Sequence, residues 1–433
     1  MRITFLSGQI VSAMGVVALG AAGAVAAPKH AIPPRPAVKP AAKTALPAVV
    51  GFPQDAGPHD RTSAIEWWYF NSFLTTERRH HYAIMGAFFR TGLSASAKGH
   101  YLIYALADLD AKTRTPYSVL DPAEIDLLKT YTAISSARRP DDPKPIQLLN
   151  ILQRGELPPP HRISDADALV KTKPTFSIAF DNALLVQTGP SGLAWRTNLN
   201  GDDWTLDLAL RQPSRPAMRV GGTGRTGLHR PDDMYYVSLT RMHAQGTLTI
   251  GGVVDKVVGT GWLDRQWGTS WGVGDNGWDW FGLQLDDGSD LIVYRVRDNV
   301  TGKILRAEAT LLAADGVETV DSAPVLTPTL LSTPTAATVG PGASETVYVD
   351  PATHIPFPQE WTITLPKIGL TLTTASAFPD QTMPVVGIGD AIWEGVVTAT
   401  GMRAGRVVKG RGYMELVGYK PLPTPTDNAA PTP

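Results

Sequence analysis

Asp264 lies in the run Gly259-Thr260-Gly261-Trp262-Leu263-Asp264-Arg265-Gln266-Trp267-Gly268, which is followed by Trp271 and by Trp278-Asp279-Trp280-Phe281. Five of the 11 tryptophans therefore fall between Trp262 and Trp280. A carboxyl group among such rings is poorly solvated, so its pKa rises and it can keep a proton near neutrality. The chemistry this allows is proton donation to an apolar molecule held against aromatic faces. Glu66-Trp67-Trp68-Tyr69-Phe70 repeats the pattern of one acid embedded in aromatics.

Alternation along a strand decides which of these side chains can meet. If Val258 to Asp264 is a strand, Trp262 and Asp264 share a face, and Gly259 and Gly261 on the other face leave room for a close neighbour. Trp278 and Trp280 likewise share a face, while Asp279 points away with Phe281. The plainer reading is structural: Asp264 caps a turn, Glu66 forms a buried ion pair with Arg265 or Arg90, and the tryptophans are core. Both readings place Arg265 in a charge pair.

Other chemistries find little support. The nine histidines show no metal-ligand spacing, His80 and His81 being adjacent and His243 isolated. No serine occupies a Gly-x-Ser-x-Gly elbow, and no Gly-rich phosphate loop precedes a helix. Neither a metal nor a cofactor is expected.

The elements that must position the acids are mostly strands. Leu193, Trp195, Thr197 and Leu199 alternate up to Asn200-Gly201, and Trp204, Leu206, Leu208 and Leu210 alternate away, which predicts a hairpin. Further hairpins are predicted around Gly251-Gly252, Asp287-Gly288 and Pro366 to Gly369. Ile125, Leu128 and Tyr131, then Leu148, Leu149 and Leu152, recur instead at helical spacing, so one or two helices are expected within Pro122 to Arg154. The fold class is all-β with a short helical insertion.

Composition bounds the partners and the compartment. The 433 residues carry a formal net charge of −1, which favours neither nucleic acid nor an anionic membrane surface. Residues 1–26 resemble a secretory signal, with Arg2 before an apolar run and Ala24-Val25-Ala26 at its end, so export to the periplasm or beyond is expected, with no membrane span in the mature chain. The chain has no cysteine, so no disulfide supports it there. Residues 27–50 form a Pro/Ala-rich linker and 421–433 a frayed tail. The length between them suggests two domains, placed at 51–255 and 256–420.

Several motifs in order resemble the AttH-like family that includes carotenoid 1,2-hydratases. They are Glu66-Trp67-Trp68-Tyr69, Tyr236-Val237-Ser238-Leu239-Thr240-Arg241-Met242, Gly261 to Gly268, Gly277 to Gly288 and Gly412 to Tyr419. The resemblance implies two lipocalin-like antiparallel β-barrel domains that bind a small apolar ligand between or within them. It also implies that Asp264 matches the proton donor of the carotenoid hydratases, with Trp262 standing where those enzymes have a tyrosine. Glu66 is the second candidate catalytic acid, orienting water or holding Arg265. Trp67, Trp68, Tyr236, Trp262, Trp267, Trp278 and Trp280 are the candidate ligand-binding residues. The leading expectation is a cofactor-independent hydratase of an isoprenoid-like or polyketide-like molecule. The rivals are a lipocalin-like carrier and an aromatic-lined glycoside hydrolase.

Overall fold

The computed structural model describes residues 50–94, 97–212, 215–269, 276–329, 346–387 and 390–422. The expected signal segment, nearly all of the linker, Trp271 and most of the expected tail lie outside them. Two curled antiparallel half-barrel sheets dominate the fold. The first has 13 strands, and its centre runs in the order Ala97–Asp108, His81–Ser94, Ile65–Thr76, Val253–Gly268, Met234–Ile250, Trp204–Arg211. The second has ten, centred on Asp290–Asp298, Asn276–Leu285, Arg406–Val417 and Ala391–Arg403. One edge pair of the first sheet, Thr113–Leu120 with Arg162–Ile163, is parallel.

The predicted hairpins form as expected, Ala194–Asn200 pairing with Trp204–Arg211 and Asn276–Leu285 with Asp290–Asp298. The boundary drawn at 255/256 is corrected. Val253–Gly268 pairs along its length with Met234–Ile250 and, over Val257 to Gly268, with Ile65–Thr76, so that cut would divide a hairpin of the first sheet. The change of sheet falls between Gly268 and Asn276.

Three apolar layers explain the strand sequences. Trp68, Phe70, Leu199 and Leu208 fill the concave face of the first sheet. Phe281, Leu283, Trp361 and Trp393 fill that of the second. A shared layer joins Tyr69, Phe73, Met85 and Trp262 of the first sheet to Trp280, Tyr294, Val396 and Tyr413 of the second. Central strands are therefore buried on both faces, and alternation gives way to continuous runs such as Trp67-Trp68-Tyr69-Phe70. Arg241 and Thr240 reach across to Asp290, at 2.7 Å for both Arg241 Nη2 and Thr240 Oγ1, and tie the sheets beside that layer.

The helices are Pro122–Arg138 and Pro143–Gln153. Asp121 caps the first: its Oδ1 accepts the Glu124 backbone N–H at 2.7 Å, and Pro122 occupies the first turn. Asp121 also accepts from His100, through the backbone N–H at 3.0 Å and Nδ1 at 2.8 Å, anchoring the helix start to the Ala97–Asp108 strand. Gly99 makes this approach feasible, since a Cβ there would lie 2.4 Å from Glu124 Cα. Glu124 is thus held over the shared layer. No helix among the described residues is long and apolar enough to cross a membrane.

Candidate functional site

Between the sheets lies a cavity of about 120 Å³. Trp67, Tyr69 and Met85 line it from the first sheet, Trp278, Trp280 and Tyr294 from the second. Glu124 and Leu128 of the first helix close one side. Gly282 clears space for this wall, because a Cβ there would lie 2.4 Å from the Trp280 ring.

Asp264 faces this cavity and is 3% exposed. Its position opposite Ser238 on the flanking strand brings that residue and Tyr236 to its two carboxyl oxygens. Ser238 Oγ and Trp262 Nε1 donate to Oδ1 at 2.5 and 2.6 Å, and Tyr236 Oη donates to Oδ2 at 2.6 Å. Burial raises the Asp264 pKa to about 6, against the pull of the Ser238, Tyr236 and Trp262 hydrogen bonds. Trp280 Nε1 donates to Tyr236 Oη at 3.0 Å, so the phenol proton is committed to Asp264. Indole nitrogens cannot accept. Asp264 therefore stands in the cavity wall with Ser238, Trp262 and Tyr236 donating to it, its carboxyl group fixed against the aromatic lining.

Two further acids line the same wall, and sequence reasoning missed both. Glu394 and Glu415 stand opposite each other on adjacent strands. Tyr69 Oη donates to Glu394 Oε1 at 2.8 Å, and Trp278 hydrogen-bonds to Glu415. Burial first, then the adjacent Glu415 charge, pushes Glu394 well above the usual carboxylate range. Burial also raises Glu415, to about 7, with Asp264 adding to the shift. Like charges placed opposite each other in a buried wall cannot both ionise at ordinary cost, so one member of the pair tends to keep its proton. Glu124 is a fourth acid, raised to about 8 by burial and hydrogen-bonded by Thr91. The signal that could have found Glu394 and Glu415 is period two: each shares a strand face with apolar or aromatic neighbours, Ile392 and Val396 for one, Tyr413 and Val417 for the other.

The AttH-like family model matches residues 161–419. The chain belongs to the AttH-like family. The AttH-like chain is similar to an AttH protein from Nitrosomonas europaea at 24% identity and a TM-score of 0.62, over 86% of this chain and 98% of that one. It is also similar to kievitone hydratase from Nectria haematococca at 17% identity and a TM-score of 0.61, over 88% and 95% of the two chains. Both likenesses concern the fold. No protein of curated function matches the sequence.

The other predicted residues of this AttH-like chain divide between two faces of the first sheet. Trp67 lines the cavity, and Tyr236 and Trp262 are buried in the shared layer beside Asp264. Glu66, Trp68, Arg265 and Trp267 point the opposite way, because neighbours in a strand alternate sides. The expected roles of Glu66 as a catalytic acid and of Trp68 and Trp267 as ligand contacts are corrected accordingly. Arg265 instead pairs with Glu66 and lies 4.0 Å over the Trp68 ring and 5.1 Å from the Trp267 centroid. Arg90 joins Glu66 as well, and His59 stacks on Trp267 at 4.3 Å. This cluster fastens residues 55–60 to the sheet. Asp279 also faces away from the cavity, bonded by Arg295 at 2.6 Å and by Tyr419 at 2.8 Å. Among the described residues, no group of three or more His, Asp or Glu side chains is placed to hold a metal ion.

Proposed function

We propose that the chain is an exported enzyme that adds water across a carbon–carbon double bond of an apolar, isoprenoid-like or polyketide-like molecule, with Asp264 as the proton donor. The observation that carries this reading is the place of Asp264, a carboxyl group buried in the wall of an aromatic cavity and held there by Tyr236, Ser238 and Trp262. Asp264 Oδ–H protonates one alkene carbon, and the positive charge on the other carbon is stabilised by the faces of Trp278 and Trp280, at roughly 0.5 to 2 kcal/mol. Water bonds to that carbon and loses a proton to the ionised member of the Glu394–Glu415 pair. The proton returns to Asp264 through solvent, so alkene and water become alcohol with no cofactor consumed. A hydratase, kievitone hydratase, is among the proteins that share this fold. Export rests on the signal-like run at residues 1–26.

The test is incubation with prenylated phenols or acyclic terpenes in ¹⁸O-labelled water. A product heavier by one labelled water, formed by the wild type and not by Asp264→Asn, supports hydration. The same apolar wall would also suit a carrier, and binding of these molecules without any turnover would favour that reading.

A further inference from the structure

The charge balance of the cavity wall is one-sided. Four carboxyl groups line it, those of Asp264, Glu394, Glu415 and Glu124, and no lysine, arginine or histidine does among the described residues. Arg114, whose charge acts on Glu394, lies outside the lining and can balance one carboxylate at most. Beside the acids, the side-chain oxygen of Gln266 is buried without a hydrogen-bond partner on a residue that is 6% exposed and lines the same cavity. An unfilled acceptor in an aromatic cavity calls for a donor from a ligand.

We propose that this cavity selects for positive charge: it takes an apolar molecule whose buried polar group is a protonated amine, and it rejects the carboxylate on the same chain. An ammonium offers three donors and accepts nothing, so it matches a lining whose polar groups are the Gln266 oxygen and carboxyl groups, while aromatic faces receive its cationic surface. A carboxylate would bring a fifth acid into a wall that already holds four, with no cation in the lining to meet it. A neutral alcohol falls between, donating one hydrogen bond. The inference rests on the proposed substrate cavity and deepens it, since a wall built for an ammonium is also built for the carbocation that protonation by Asp264 would create.

The test uses three probes with the same ten-carbon chain, decylamine, decanol and decanoate, below their aggregation limits at pH 7. Binding is followed by calorimetry and by the fluorescence of the cavity tryptophans. Decylamine is expected to bind at least ~tenfold tighter than decanol, and decanoate weakest of the three. E394Q with E415Q removes two of the four acids and should weaken the amine preference severalfold while decanol still binds. Decanoate binding as tightly as decylamine overturns the proposal, as does an amine preference undiminished in the folded double variant. The wild-type comparison decides the matter even if that variant fails to fold. Turnover does not enter this readout: an enzyme that hydrates alkenes without an amine preference overturns charge selection alone. A protein with the preference that leaves alkenes unchanged overturns hydration alone.

Discussion

Glu394 and Glu415 face each other across neighbouring antiparallel strands, in the wall of a cavity that also holds Asp264. Like charges directly opposite in a sheet are unfavourable, and burial sharpens the conflict. A proton held by the pair relieves it. The arrangement is costly for a purely structural position and useful for a site that moves protons.

One consequence is a pH-dependent stability difference. The folded pKa of Glu415 is raised, to about 7, above its unfolded value near ~4.3. Its folded form therefore binds more protons than its unfolded form between those values, and the stability this contributes is lost as pH rises through about 7. Glu415→Gln removes that loss. The melting temperature of the variant relative to wild type should climb from pH 5 to pH 8; a difference independent of pH would show that Glu415 is not strained in this way.

Activity should follow a bell. The donor must be protonated, with Asp264 at about 6, and the base must be ionised, with Glu415 at about 7. kcat/KM should peak between these values and fall on both sides, the apparent constants belonging to the coupled set. Glu415→Gln should depress the maximum and shift the acidic limb. A profile flat from pH 5 to pH 8 would leave these acids without a role in turnover.

Much of this site is legible in the sequence, where strand alternation suffices to place Asp264 beside Trp262, set Trp278 and Trp280 on one face and turn Asp279 away. The ion pair of Glu66 with Arg265 is equally readable as an acid and a base embedded in aromatics. The assignment of faces between segments is not, since nothing local says that Trp67 rather than Trp68 looks into the cavity. Glu394 and Glu415 meet only because Ala391–Arg403 and Arg406–Val417 form one hairpin beside Asn276–Leu285. The sheet boundary eluded the pattern because a Gly-Gly turn marks a hairpin without saying which sheet the next strand joins.

The Glu66 and Arg265 cluster should affect stability and leave ligand affinity alone. Removing one partner of a buried pair costs about 3 to 5 kcal/mol, so Glu66→Gln or Arg265→Met should each melt well below wild type. The double variant should be less damaged than the sum, by about 0.5 to 3 kcal/mol in a urea-unfolding cycle. Strict additivity would mean that the pair makes no energetic contact.

Gly282 tests how the cavity wall is made. A methyl group there would collide with the Trp280 ring at 2.4 Å and crowd Trp262 at 3.3 Å. Gly282→Ala should cost about 1 to 3 kcal/mol and change tryptophan fluorescence and ligand affinity together. Unchanged affinity with a displaced Trp280 would remove that ring from the binding site.

The most direct measurement is single-turnover hydration by Asp264→Asn against wild type, with substrate binding measured on the same samples. The amide keeps the shape and the acceptor oxygen and loses the transferable proton. Ligand affinity should stay close to that of wild type while the chemical step slows by roughly 10² to 10⁴. Hydration by the variant at the wild-type rate would contradict the assignment of Asp264 as the proton donor.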